Sequence, residues 1–397
     1  MVILVVNCGS SSVKYKLLDM QEKKELVSGL AERIGIEGSK IKHEKADGGT
    51  LKLEQNLADH KAALEKIIEC LTDDEYGVVN DIAEITAVGH RVVHGGEKFN
   101  KAVLINEDVL NELESLFDLA PLHNPPNVVG IKTCQELIPH APQVAVFDTA
   151  FHQTIPDYAF NYALPYQYYE KYGIRKYGFH GTSHKYVSGR AATMLGKPLT
   201  DLKVVVCHLG NGSSITAVKN GVSVDTTMGF TPLAGLPMGT RTGDIDPAII
   251  PFIMEKENLQ PDDISNIMNK KSGVLGVSGI SSDFRDLEDA EANGNERAAL
   301  ALNMFIYGVK RWIGAFGAAM GGLDAVAFTG GIGENGKELR EKVLTGLEYL
   351  GLEVDAEKNN IRGKEQIITK DGGAVAMVVP TNEELMIAKE TEALVIK

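Results

Sequence analysis

The chain has 397 residues, 44% hydrophobic and 24% charged, with 41 glycines and a formal net charge of -14. That length suffices for two domains with full cores, and the acidity argues against nucleic acid or an anionic membrane as a general partner, so any anionic substrate must be met by local cations. Cys8, Cys70, Cys134 and Cys207 show no CxxC spacing, no signal-peptide pattern precedes the first apolar run, and the longest nearly uncharged apolar stretch, Trp312 to Leu323, is too short to span a bilayer; the expectation is a cytoplasmic protein without structural zinc.

In chain order, Val2-Ile3-Leu4-Val5-Val6 reads as a buried strand, and Val13 to Leu18 as a returning strand with Val13, Tyr15 and Leu17 on one face. Between them, Asn7-Cys8-Gly9-Ser10-Ser11-Ser12 is a tight turn whose backbone N–H groups, hydroxyls and nearby Lys14 suit phosphate oxygens. Further strands are expected over 22–49 and a helix over 56–71. Ile85 to Val93 is a buried strand carrying Arg91 near its C-terminal end, where open α/β sheets place ligands. A helix from Glu107 to Leu119 leads into Ala120-Pro121-Leu122-His123-Asn124-Pro125-Pro126-Asn127, where the prolines predict irregular backbone, with Asn127 capping the next helix. Val144 to Phe147 is a strand that delivers Asp148 at its end.

Pro156 to Tyr172 holds seven aromatic side chains and reads as packing or a subunit interface. His180 and His184, four residues apart, lack the Glu and third ligand of a zinc motif, so one histidine acting on an anionic transition state with the other structural is the better reading. Leu202 to Cys207, then His208-Leu209-Gly210-Asn211-Gly212-Ser213-Ser214, then Ile215 to Val218 repeats the order strand, Gly/Ser turn, strand of residues 2–18. Gly229 to Asp244 is a long apolar loop whose only cation is Arg241. Asp283 precedes a helix, as a site residue or as a cap. A helix is expected from Leu300 to Ala318, then a strand from Leu323 to Phe328 that ends in Thr329-Gly330-Gly331-Ile332-Gly333-Glu334-Asn335, before a helix at 338–347 with its N-terminus toward a nucleotide. A last strand, Ala374 to Val379, precedes Thr381-Asn382-Glu383-Glu384 at the start of the final helix.

The segments VVNCGSSSVK, GHRVVHGG, VFDTAFH, GFHGTSH, VVCHLGNGSSITAVKNG, PLAGLPMGTRTGDIDP, SSDFRD, FTGGIGEN and TNEEL, in this order over nearly the whole chain, together resemble the acetokinase family. The resemblance implies two duplicated actin-like (ribonuclease H-like) α/β domains facing a nucleotide cleft: 1–150 plus the C-terminal helix, and 151–384. It also implies Mg2+- or Mn2+-assisted, reversible phosphoryl transfer between ATP/ADP and acetate/acetyl phosphate, in a homodimer. Carried over by position, Asn7 and Glu384 fall at the metal and Lys14 at the nucleotide phosphates; with the turn read as a phosphate clamp, the hydroxyls of Ser10 and Ser12 are expected to meet the γ-phosphoryl group. His208, Leu209, Gly210, Asn211 and Gly212, then Asp283, Phe284 and Arg285, then Gly331, Ile332, Gly333, Glu334 and Asn335 match ATP-binding segments. Arg91 falls at the acetate carboxylate, Asp148 at an active-site carboxylate, and His180 and Arg241 at transition-state stabilisers. Val93, Leu122, Phe179 and Pro232 fall at the methyl pocket. Cys8 stands where smaller residues are familiar, so thiol sensitivity is expected there.

A carboxylate nucleophile with a pKa near ~4 is already ionised at neutral pH, so no general base is required and Asp148 is expected to orient Arg91 or the metal shell. Three alternatives stay open: a kinase for propionate or another short-chain acid, an actin-like or Hsp70-like ATPase used for conformational switching, and a sugar kinase, which would need an Asp base for a neutral hydroxyl. If Ser10 and Ser12 meet the transferring phosphoryl group, Ser→Ala at either lowers kcat more than it weakens ADP binding, which steady-state kinetics with ADP titration measures.

Overall fold

Strand β1 (Val2–Cys8) places Leu4, Val6 and Cys8 in one apolar cluster and Ile3 and Val5 in another, so its unbroken apolar run reflects burial of both faces. The protein is described here from a computed structural model covering residues 1–396. Its chain divides into two compact units, Met1–Phe151 with the segment from Asn382 onward, and His152–Thr381. In the first unit β1 turns into antiparallel β2 (Ser12–Asp19), and a meander continues through β3 (Lys24–Glu32), β4 (Lys40–Lys45) and β5 (Thr50–Glu54). On its other side β1 pairs in parallel with β6 (Ile85–Val92), β6 pairs in parallel with β8 (Gln143–Phe147), and β7 (Val103–Leu104) finishes the edge.

Helices His60–Leu71 and Asn124–Leu137 cover one face of this sheet, and the C-terminal helix Glu383–Val395 covers the other. Two glycines make the close approach possible. A Cβ at Gly89 in β6 would lie 2.5 Å from Thr391 Oγ1, and a Cβ at Gly130 would lie 2.3 Å from Cys8 Sγ. The first lets the C-terminal helix settle on the sheet, and the second lets the helix Asn124–Leu137 settle on β1.

The second unit repeats the plan. Strands β9 (Lys203–Leu209), β10 (Ser213–Lys219) and β11 (Val222–Thr226) are antiparallel, while β12 (Ala325–Thr329) and β14 (Val375–Val378) continue from β9 in parallel, and the short β13 (Gln366–Ile367) closes the edge. The order β3-β2-β1-β6-β8 in one sheet recurs as β11-β10-β9-β12-β14 in the other. This is the duplication that the two Gly/Ser turns announce, and the fold is of the actin-like α/β class. A long helix, Glu296–Met320, buries Phe305, Val309, Ile313 and Phe316 against the second sheet.

Several expectations are corrected. The proline segment is not irregular throughout: a helix begins at Asn124 with Pro125 and Pro126 in its first turn and His123 as its N-cap. The first N–H groups of a helix have no intrahelical acceptor, so proline costs nothing there, and Asn127 lies inside the helix instead of capping it. The helix expected to reach Leu119 ends at Ser115. The glycines after β12 are themselves helical, Gly330–Asn335, followed by a second helix, Lys337–Leu344. Thiol sensitivity at Cys8 is also overturned: the side chain is buried against Gly130, and burial pushes its thiol up to about 12, leaving it protonated and inert at neutral pH.

Gly130→Ala is therefore expected to destabilise the first unit by about 1–3 kcal/mol through overpacking. Combining it with Cys8→Ala recovers part of the loss, and thermal melts of the single and double variants read out that coupling.

Candidate active site

Because β1, β6 and β8 run parallel, their carboxyl ends release the chain along one edge of the first sheet. Asp148, one residue beyond β8, is almost fully buried, and its N–H donates to the Val92 carbonyl at 3.0 Å. Arg91 meets it with two parallel bonds, Nε to Oδ1 at 2.9 Å and Nη2 to Oδ2 at 2.6 Å. Burial by itself would depress the guanidinium, but the Asp148 charge and the bonds to it, with Glu383 and Glu384 adding, hold Arg91 above its ordinary range. Nε and Nη2 are committed to Asp148, while Nη1 makes no hydrogen bond among the described residues and is available to an anion.

The backbone at these strand ends is stitched by two asparagines that the sequence reading passed over as site supports. Asn127 Oδ1 accepts from Val93 N–H at 3.1 Å and Asn127 Nδ2 donates to the Cys8 carbonyl at 2.7 Å. Asn124 bonds both the N–H and the carbonyl of His94. The NPPN pattern carries the signal: prolines start the helix, and amides flanking them are buried in its first turn. Val93 is thus buried and pinned, whereas Leu122 is exposed.

At the β1–β2 turn, Gly9 N–H donates to the Ser12 carbonyl at 2.8 Å, and the Gly9 carbonyl bonds His60 Nε2 at 2.6 Å. The hydroxyls of Ser10 and Ser12 and the amide of Asn7 make no hydrogen bond among the described residues. Lys14, opposite Asn7 in the register, pairs with Glu384 Oε1 at 2.5 Å, and Lys16 approaches Glu384 Oε2 at 3.7 Å. Glu384 is therefore already neutralised by lysines.

Its neighbour Glu383, which the sequence reading left without a role, is the carboxylate that turns toward the site. Its Oε1 is buried without a partner. Burial, opposed by Arg91 and reinforced by Asp148 and Glu384, pushes its carboxyl up to about 7. Among the described residues no cluster of three or more His, Cys, Asp or Glu could hold a metal unaided. An orphan carboxylate oxygen and a neutral amide oxygen still fit Mg2+, which binds through one or two protein oxygens and keeps water and substrate phosphate in its shell.

In the second unit the candidates gather around β9 and β10. His180 is the N-cap of the helix Gly181–Leu195 and adopts a left-handed backbone with φ 56°, a strained conformation for a residue with a Cβ. Its ring stacks on His208 with centroids 4.3 Å apart. A Cβ placed on Gly212 would sit 3.5 Å from both His180 Nε2 and Arg241 Nη1, so the two expected transition-state stabilisers converge over the same glycine. Arg241 donates from Nη1 to the Pro232 carbonyl at 3.1 Å and has no carboxylate partner among the described residues; burial lowers its pKa. Phe179 and Leu209 are buried, Gly210 N–H meets Ser213 Oγ at 3.2 Å, and the Asn211 carbonyl accepts from Gly239 N–H.

Asp283 does cap its helix, accepting from Arg285 N–H at 2.9 Å, and also pairs with the exposed Arg285 guanidinium. Phe284 packs edge-on against Phe305 in the core, so only its backbone is left to face a ligand. Beyond β12, Gly331 opens onto free space, Ile332 packs on the core and Asn335 Nδ2 donates to the Gly331 carbonyl. Glu334 Oε1 accepts from Gly330 N–H, Thr329 Oγ1 and Thr381 N–H. This carboxylate ties the ends of β12 and β14 together. Behind it the fully buried Arg340 donates to the carbonyls of Gly333, Glu334, Asn359 and Ile361 and to Asn359 Oδ1. In the sequence Arg340 is one more charge in a polar helix, and nothing in the pattern marks it.

A carboxyl titrating higher in the folded than in the unfolded chain binds its proton more tightly when folded. Stability then falls as pH rises from about 4.5 through about 7 and stays lower above. Glu383→Gln removes that loss, so its melting temperature should exceed the parent's by a few degrees at pH 8, with the difference vanishing near pH 5. Equal differences at both pH values would show that Glu383 is not a buried, ionisable site carboxylate.

Residues 2–389 match the model of the acetokinase family. It is 70% identical over 396 residues to an acetate kinase of Desulforamulus reducens, covering all of both chains. Among solved structures it superposes on Porphyromonas gingivalis acetate kinase with a TM-score of 0.96 at 50% identity, covering all of both chains. A propionate kinase from Francisella tularensis subsp. tularensis gives 0.92 at 45% identity, with 99% of each chain covered. With matches of this extent along its full length, the chain belongs to the acetokinase family, whose members are phosphotransferases acting on a carboxyl acceptor.

Proposed function

We propose that this protein transfers the γ-phosphoryl group of ATP to acetate, giving acetyl phosphate and ADP, reversibly and in a single in-line displacement. The observation that carries the reading is the Arg91–Asp148 pair: a guanidinium held rigidly by two bonds, at a strand end, with Nη1 unspent for a second carboxylate. Acetate enters already ionised, so Asp148 removes no proton. It acts as a positioning residue that keeps the Arg91 fork aimed.

Phosphoryl transfer has little covalent chemistry for a protein to perform, and its catalysis is positioning plus charge stabilisation. In an acidic chain the cations must be local, and Arg91, Arg241 and Lys14 supply them, with His180 as a hydrogen-bond donor. The nucleotide is assigned to His208–Gly212, Asp283–Arg285 and Gly331–Asn335, and its phosphates to Lys14, Ser10 and Ser12. Mg2+, or Mn2+, is assigned to Asn7 with Glu384, which Lys14 and Lys16 hold in place, with the buried Glu383 beside it; when bound it would neutralise charge on the phosphate oxygens. Lys14 must exchange Glu384 for phosphate when nucleotide binds, which the exposed position of Lys14 permits.

The methyl group is assigned to Val93, Leu122, Phe179 and Pro232. One methylene in an apolar pocket is worth only about 1–3 kcal/mol, so acetate is favoured over propionate by degree. The protein is further read as a cytoplasmic homodimer, for which the exposed Tyr158, Leu164, Tyr166 and Tyr172 supply an apolar surface; among the described residues no helix is long and apolar enough to cross a membrane.

Trapping acyl phosphate as hydroxamate in the presence of ATP tests the activity. Acetate-dependent product is expected, with kcat/KM for acetate above that for propionate. Arg91→Lys keeps the charge but loses the fork, and should raise KM for acetate about tenfold or more while KM for ATP changes little. Failure to form any acyl phosphate overturns the proposal, and a preference for propionate overturns the pocket assignment alone.

A further inference from the structure

Four histidines crowd the end of the second sheet, and the hydrogen bonds among two of them determine where one particular proton sits. Ser214, in β10, is fully buried, and its hydroxyl is shared by two imidazoles: His184 Nε2 lies at 2.7 Å and His180 Nδ1 at 2.9 Å. His184 is also fully buried, and its other nitrogen, Nδ1, has no hydrogen-bond partner. His152 and His208 flank it, with ring centroids 5.6 Å and 6.2 Å away. Burial and these neighbouring imidazoles hold His184 neutral.

A neutral imidazole has one N–H and one bare nitrogen. A buried N–H without an acceptor is rarer and more costly than an unsatisfied acceptor, so the bare nitrogen of His184 is Nδ1 and its proton is on Nε2. That N–H donates to Ser214 Oγ. The hydroxyl proton of Ser214 is then directed to its second neighbour, and His180 Nδ1 must accept it.

We propose that His184 and Ser214 are positioning residues that fix His180 as the Nε2–H tautomer, so that it presents a hydrogen-bond donor, beside the Arg241 guanidinium, to the anionic group handled over Gly212. The opposite tautomer would turn a lone pair toward phosphoryl oxygens and repel them. The ring is held in place by its neighbours: His208 stacks on it with centroids 4.3 Å apart, His184 lies 6.4 Å away, and Arg241 shares its approach to Gly212. The left-handed backbone at His180 fits the same purpose, because it swings the ring out of the helix start and onto β10, where Ser214 can reach Nδ1. His184 and Ser214 touch no reacting atom in this arrangement and act only through His180.

This inference rests on the proposed phosphoryl transfer, but its first readout does not. In the full chain labelled with 15N-histidine and free of nucleotide, the His180 signal, assigned by its loss in His180→Gln, should report a protonated Nε2 and an unprotonated Nδ1 at pH 7.5. A protonated Nδ1 overturns the proposal even if acyl phosphate is made, and absence of acyl phosphate overturns the function whatever the spectrum shows. Ser214→Ala should shift the His180 signal and lower kcat at least about tenfold, with KM for acetate and ATP within about twofold. His184→Gln retains an N–H near the position of Nε2, and should preserve both the His180 tautomer and most of kcat. Unchanged kcat and spectrum in Ser214→Ala overturns the proposal. If that variant does not fold, the spectrum of the parent protein decides alone.

Discussion

The constraint on which the rest depends is that parallel neighbours in a sheet end at the same edge. With β1, β6 and β8 parallel in one unit, and β9, β12 and β14 in the other, every chain leaving these strands emerges with its last carbonyls and next N–H groups unpaired by the ladder. Side chains from nearby helix starts and turns must satisfy them. Asn124 and Asn127 do so in the first unit, and Glu334 does so in the second. The same stitching that satisfies the backbone holds Val93, His94 and Thr381 in place, so structural satisfaction and site preorganisation are one set of bonds.

Charge is handled by a second rule: a buried ion is either paired or costly. Asp148 is nearly inaccessible because Arg91 answers both its oxygens. Arg340, wholly buried with no carboxylate, spreads its charge over four carbonyls and an amide oxygen, and burial still lowers its pKa to about 10. Glu383 is the exception, a buried carboxylate with an orphan oxygen. An unsatisfied group of that kind is a cost that folding must carry, and it is intelligible where a cation is to be bound. Its neighbour Glu384, one residue on, is turned by the helix to the lysines of β2.

The central strands were legible because burial of both faces demands β-branched, unbroken apolar runs, and Val2–Val6 and Leu202–Cys207 have them. The duplication was legible because a Gly/Ser turn follows each. Pro125 and Pro126 have the pattern of helix breakers, yet they fall in a first turn, where a missing N–H costs nothing. The state of Cys8 is not legible because thiol chemistry depends on surroundings, here Gly130 and the helix carrying it. The resemblance places Glu384 at the metal, and adjacent identical letters give no hint that Glu383 beside it is the one buried with an orphan oxygen. Consecutive helix residues point about 100° apart, and only packing shows that Glu384 reaches Lys14 and Lys16 while Glu383 is buried.

The sequence by itself determined the alternation of strand and turn, the paired Gly/Ser loops, the short supply of cations and where along the chain they lie, because these follow from residue type and spacing. The tertiary structure alone decided which oxygen is left without a partner, which arginine is clamped by two bonds, and which nitrogen of His180 faces Ser214. Those are properties of atoms brought within 3 Å from positions far apart in the chain, and no local pattern encodes the distance.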